Sequence, residues 1–232
     1  MNPNRPPHVG LMVPINNSTA EGELLHWLPD GSTCTTLRIP RGAGMLTPAS
    51  LPAYMDNALA LARQLEGTDV DLLVYGCTAA GFISGPAGDA SLAEQLARVS
   101  GKPVVTTARS MVLSLQEIGA RDIALITPYL DPVNDQLKAF LADGGIRVRR
   151  FDSFYASTTD ELGHIPAEAV ARLARQTMAE DCDAMFIACA QLPTAEILEE
   201  LCSEFGRPVL SSNWSTTRQA LLELESQPVR AG

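Results

Sequence analysis

Hydrophobic positions along the chain follow two different periods. Short apolar runs rich in β-favouring residues occupy 9–14, 35–40, 71–77 and 103–107, and helical spacing of apolar residues fills the stretches between them. The clearest helical pattern covers 50–67 and stops at Gly67. A second covers about 90–100 and stops at Gly101. The run 71–77 is continuously apolar, the pattern of a parallel strand covered on both faces.

The second half of the chain repeats this order. Strands are predicted at 123–128, 146–151, 184–189 and 208–212, and helices over about 131–143, 166–180, 195–205 and 214–225. Particular phrases recur too: Gly10–Pro14 parallels Ala124–Pro128, Asp71–Cys77 parallels Asp183–Cys189, and Gly101–Val105 parallels Gly206–Leu210, in the same order and at similar offsets. That recurrence indicates an internal duplication. The expected architecture is α/β, with two pseudo-symmetric Rossmann-like halves. Each half is a four-stranded parallel sheet flanked by helices, and the active site lies in the cleft between them. The expected division is 1–110 for the N-terminal half and 111–213 for the C-terminal half. The helix over 108–119 joins them, and the segment 214–232 packs back onto the first half.

Composition narrows the possibilities. Hydrophobic residues make up 46% of the 232 and charged residues 19%, ordinary values for a globular protein. A net charge of −10 argues against nucleic acid or an anionic membrane as partner. The opening segment lacks the charged-then-apolar layout of a signal peptide, and no apolar run reaches membrane-spanning length. Five cysteines, an odd number, in a chain of this size argue for reduced thiols and a cytoplasmic protein rather than a disulfide scaffold. The three histidines show no metal-ligand spacing, so neither a metal nor another cofactor is expected.

Ligands of open parallel sheets bind beyond the carboxyl ends of the strands. Cys77 and Cys189 both end apolar runs there, at equivalent positions of the repeat. A lone strand cysteine is usually a small core residue, but two at related positions would face each other across the cleft. Thiols can act as acid, base or nucleophile, and backbone N–H groups after each cysteine would lower their pKa values. Cys34, Cys182 and Cys202 lack that symmetry and are read as structural. Polar residues at the same sheet ends suit a carboxylate: Asn16 and Asn17 beyond Pro14, Tyr129 beyond Pro128, and less forcefully Ser211–Asn213. Turn formation and helix capping explain such residues equally well.

These residues carry a resemblance. Val13-Pro14-Ile15-Asn16-Asn17-Ser18-Thr19 is similar to the Val-Pro-Ser-Ser-Asn-Thr-Thr opening of maleate cis–trans isomerases. Cys189-Ala190-Gln191-Leu192-Pro193-Thr194 is similar to their Cys-x-Gln-Met-Pro-Ser motif. Over nearly its whole length the chain resembles the aspartate/glutamate racemase superfamily, in its branch of maleate isomerases and arylmalonate decarboxylases. The segment after Tyr129 looks closer to the decarboxylases. The resemblance implies cofactor-independent chemistry on a small carboxylate and a homo-oligomer, dimer or tetramer. Cys77 and Cys189 would be catalytic, and Asn17, Thr78, Tyr129 and the backbone at Ala190 would bind substrate, beside Pro14 and Asn16. Decarboxylases of the branch look like one-cysteine enzymes with glycine at the position of Cys77, so both cysteines favour isomerase or racemase chemistry. Where the isomerases carry a second substrate asparagine, this chain has Thr158 or a neighbour. Isomerisation, racemisation, decarboxylation of a malonate and non-catalytic binding of small acids are the readings carried forward.

Overall fold

Two parallel sheets account for all the strands of the computed structural model, which describes residues 5–41 and 44–226. The first half runs β1 (His8–Pro14), α1 (Ala20–Trp27), β2 (Thr33–Ile39), α2 (Leu51–Ala62), β3 (Leu72–Tyr75), α3 (Thr78–Ile83), α4 (Gly85–Ser100) and β4 (Val104–Thr106). Helix α5 (Thr107–Glu117) crosses to the second half. There follow β5 (Asp122–Thr127), α6 (Asp131–Asp143), β6 (Arg147–Ser153), α7 (Thr159–Gly163), α8 (Ala167–Thr177), β7 (Ala184–Ile187), α9 (Leu198–Phe205), β8 (Val209–Ser211) and α10 (Ser212–Ser226). The strand orders, β2-β1-β3-β4 and β6-β5-β7-β8, are the same topology twice.

The continuous apolar runs become the inner strands. Every residue of β3 and of β7 is buried, because helices cover both faces of each sheet. Helices α2 and α4 cover one face of the first sheet through Tyr54, Ala58, Leu92 and Leu96. The C-terminal helix α10 covers the other, with Ala220 and Leu224 against Val9, Leu11 and Val13. Met111 and Leu115 of α5 instead enter the core of the second half, as does Phe82 of α3. Residues 227–232 of the expected C-terminal segment lie outside the described residues.

Four helices go beyond the sequence pattern. In α1 a charged residue, Glu23, is buried where amphipathic spacing calls for an apolar one. The six residues of α3 and five of α7 are too short for a helical period to register. Helix α4 begins at Gly85, earlier than its apolar pattern, because Pro86 sits in its first turn, where a missing N–H costs nothing.

Candidate active site

Strands β3 and β7 each stop two residues before a cysteine, and the hydrogen-bond ladder carries the backbone one step further in both. Gly76 N donates to Met12 O at 2.7 Å, and Ala188 N donates to Ile126 O at 2.9 Å, its counterpart in the second half. A Cβ at Gly76 would lie 2.9 Å from Val13 Cγ1, so the close approach that delivers Cys77 to the cleft needs glycine. Beyond Cys77 the chain turns directly into α3; beyond Cys189 it enters a loop closed by Leu192 N donating to Cys189 O at 3.1 Å.

The two cysteines line one pocket of about 60 Å³. That suits a small acid better than a drug-sized ligand, whose pockets run to roughly 300–1,000 Å³. Pro14, Asn16, Asn17, Thr78, Tyr129 and Ala190 line it as well, so the structure brings together all eight residues singled out from the sequence. Met45, Leu46, Val133 and Leu162 add an apolar wall.

Hydrogen bonds sew the two halves together around this pocket. Ala190 N donates to Thr78 Oγ1 at 3.2 Å, and Thr78 Oγ1 donates to Ser212 Oγ at 3.3 Å. Asn17 Nδ2 donates to Ala190 O at 3.1 Å, while its Oδ1 accepts from Thr19 N and Ala20 N at the start of α1. Asn17 is thus a turn former and helix cap, and still has one amide hydrogen to offer the pocket. Gln191 ties the same loops through Ser18 N, Ser18 Oγ and Thr19 Oγ1. Tyr129 is fixed through its carbonyl, which accepts from Asn134 Nδ2 at 2.7 Å and Ser153 Oγ at 2.6 Å, and its ring packs edge-on against Phe82.

Residues outside the sequence reading complete the site. Glu23, buried, accepts from Thr194 N, from Thr194 Oγ1 at 2.9 Å, from Ala195 N at 2.7 Å and from Asn213 Nδ2 at 2.6 Å. It anchors the loop that follows Cys189. The Tyr54 hydroxyl of α2 is buried beside Cys77 and has no oxygen or nitrogen partner among the described residues. Arg41 also lines the pocket. A tyrosine in an ordinary amphipathic helix and an arginine in a turn gave no signal of their own.

The thiols differ from expectation in one respect. Burial is the largest influence on both and pushes their pKa values above the ordinary thiol. At Cys77 the Tyr54 hydroxyl, the N–H groups of Ala80 and Ala79 and the Arg41 charge pull the other way. At Cys189 the Tyr129 hydroxyl and the N–H groups of Gln191 and Leu192 do so, while Cys77 raises it further. The expected lowering by backbone donors is present, but the water-poor pocket outweighs it. Thr158 is not among the residues lining the pocket: it caps α7 in a reciprocal capping box with Glu161, and Leu162 of that helix lines the pocket. Cys34, Cys182 and Cys202 lie outside the pocket, and Cys202 Sγ accepts from Val209 N at 3.2 Å.

Fold and pocket define an α/β protein whose two topologically equivalent halves each bring a cysteine to one pocket. The chain belongs to the arylmalonate decarboxylase family, whose model matches residues 9–232. It is 28% identical to the maleate isomerase of Nocardia farcinica over 212 residues, covering 88% of this chain and 84% of the relative. It is 27% identical to the arylmalonate decarboxylase of Bordetella bronchiseptica over 228 residues, covering 92% and 90%. Its fold superimposes with a TM-score of 0.84, at 26% identity and over 94% and 93% of the two chains, on a cysteine-to-serine mutant of the Nocardia farcinica maleate cis–trans isomerase with a covalently bound succinylcysteine intermediate.

Proposed function

We propose that this chain is a cofactor-independent isomerase of a small unsaturated dicarboxylate, of which maleate is the type substrate. The observation that carries the reading is the placement of Cys77 and Cys189 in one buried pocket with Asn17, Thr78, Tyr129 and the Ala190 N–H.

In this reading Cys77, as thiolate, adds to one alkene carbon. A C–S bond forms, the π pair moves to the neighbouring carbon, and the adjoining carboxylate takes up that charge as an enediolate. The Cys189 thiol protonates the carbanionic carbon, leaving a succinyl thioether on Cys77. The former double bond is now single and rotates. Cys189, as thiolate, removes the same proton, the C–S bond breaks with its electrons returning to sulfur, and the trans acid leaves. Once Cys77 has given up its proton to solvent, atoms and charge balance through the cycle with no further reactant. In this reading the Tyr129 hydroxyl and the free Asn17 amide hydrogen stabilise the enediolate, with Thr78 and the Ala190 N–H, bonded to each other, holding the wall beside it, and burial strengthens each contact.

Two cysteines also serve racemisation, in which one removes an α-proton and the other protonates the opposite face. Decarboxylation of a substituted malonate needs Cys189 alone as proton donor, and the apolar wall of Met45, Leu46, Val133 and Leu162 favours that reading. Incubating the protein in D₂O with maleate, aspartate, a hydantoin and an arylmalonate, and following products and deuterium by NMR, separates them. The isomerase reading predicts fumarate from maleate and its loss in Cys77→Ala. Decarboxylation surviving in Cys77→Ala, with no action on maleate in the parent, would overturn it. Ligand binding with neither turnover nor exchange would mark a non-catalytic protein.

A further inference from the structure

Arg41 is the only charged side chain among the described residues lining the pocket that holds both cysteines. The residue as a whole is half-buried, but its Nη2 is sealed from solvent and has no hydrogen-bond partner among the described residues. Nor does any described carboxylate pair with it, although the chain carries 27 acidic residues against 17 basic ones. Guanidinium nitrogens in protein interiors are normally matched, because an unmatched buried cationic donor is costly. Arg41 lines a cavity whose other described lining residues are uncharged, which leaves the occupant of that cavity to supply the missing partner.

The pocket's neutral donors, the free Asn17 amide hydrogen and the Tyr129 hydroxyl, can serve one carboxylate. Apolar Leu162 lines the pocket from α7, and Thr158 is engaged in capping that helix. A dicarboxylate would therefore have one end held by neutral donors and the other unheld, unless Arg41 holds it.

We infer that Arg41 is the clamp for the substrate's second carboxylate and the residue that makes this pocket select dianions over monoanions. The inference rests on the isomerase reading for the identity of the substrate, but not for the clamp itself. A guanidinium presents paired N–H donors to the two oxygens of a carboxylate, a stronger and more directional contact than an amide makes. The same charge favours the thiolate form of Cys77, so one residue orients the acid and biases the nearer sulfur toward nucleophilic attack.

The test compares alkylation of Cys77 by iodoacetate, an anion, with that by iodoacetamide, its neutral analogue, read by peptide mass spectrometry. Both reagents attack the same thiolate, so their rate ratio cancels any change in pKa or accessibility and reports the anion site alone. The native protein is expected to favour iodoacetate about tenfold more than free glutathione does, a factor worth about 1.4 kcal/mol. Arg41→Gln should return the ratio to the glutathione value, and Arg41→Lys should fall between. Equal ratios in the native protein and Arg41→Gln would overturn the clamp. In parallel, Arg41→Gln should raise KM for maleate at least tenfold with a smaller change in kcat; an unchanged KM would also count against it. If the native protein leaves maleate untouched while the iodoacetate preference still collapses in Arg41→Gln, the clamp stands and the isomerase reading falls.

Discussion

Thr78 and Ala190, the residues that follow the two cysteines, are bonded to each other: the Ala190 N–H donates to the Thr78 hydroxyl at 3.2 Å. They occupy equivalent positions of the two halves, so the pseudo-twofold relation closes at a single hydrogen bond inside the pocket. The bond fixes the relative position of the segments carrying Cys77 and Cys189.

Replacing Thr78 by Val removes the acceptor of the Ala190 N–H and the hydroxyl that bonds Ser212, loosening the join beside the two cysteines. A buried donor left without its partner costs about 1–3 kcal/mol, so kcat/KM for the carboxylate substrate should drop roughly 10–100-fold. Thr78→Ser should keep most of the activity. Steady-state rates decide it, and a Thr78→Val enzyme at full rate would remove this residue from the site.

Glu23 acts at longer range. Its carboxylate satisfies two backbone N–H groups, one hydroxyl and one amide, all in elements that hold the loop after Cys189. Glu23→Ala leaves these buried donors unmatched, at about 1–3 kcal/mol for each one that water cannot reach. Chemical denaturation should therefore show a loss of at least about 3 kcal/mol, with kcat falling in the folded fraction because Asn213, which also donates to the Ala190 carbonyl, and the loop after Cys189 lose their anchor. A loss under about 1 kcal/mol would mean that the loop is held by other contacts.

The pH dependence follows from burial of the sulfurs. Cys77 and Cys189 titrate above the ordinary thiol value of 9.0, with desolvation as the leading cause. Both are therefore protonated near neutral pH in the free protein, and the thiolate fraction grows as pH climbs. Alkylation of Cys77 by iodoacetamide should accelerate through pH 9 without levelling off below it. Tyr54→Phe removes the hydroxyl that pulls Cys77 downward and should shift the profile to still higher pH. A plateau below pH 8 would contradict this. Stability carries the same sign: thiols with raised folded pKa values favour the native state fully below pH 9, and that contribution fades as pH rises through the folded values. Cys189→Ala should flatten the alkaline decline.

The fold was legible because its inner strands are covered on both faces. Uninterrupted apolar runs ending at Tyr75 and Ile187, repeated with the same neighbours, report parallel sheets directly. The cysteines were legible for the same reason, since each sits just past such a run. Arg41, Tyr54 and Glu23 were not, because their meaning depends on what stands opposite them in space. A buried glutamate within α1 reads as a solvated position until Thr194 and Asn213 are seen around it. The direction of the thiol shift was also out of reach: backbone donors can be guessed from a turn after a strand, but the extent of desolvation depends on the packing of both halves around the pocket.

The central claim is that the Cys77 sulfur adds covalently to an unsaturated acid and that Cys189 handles the proton. Mass spectrometry of a Cys189→Ser variant incubated with maleate tests it most directly. The prediction is a gain equal to one maleic acid, mapped to the peptide containing Cys77 and absent from the Cys77→Ala, Cys189→Ser double variant. An unmodified Cys77 peptide, together with undiminished isomerisation by Cys77→Ala, would contradict it.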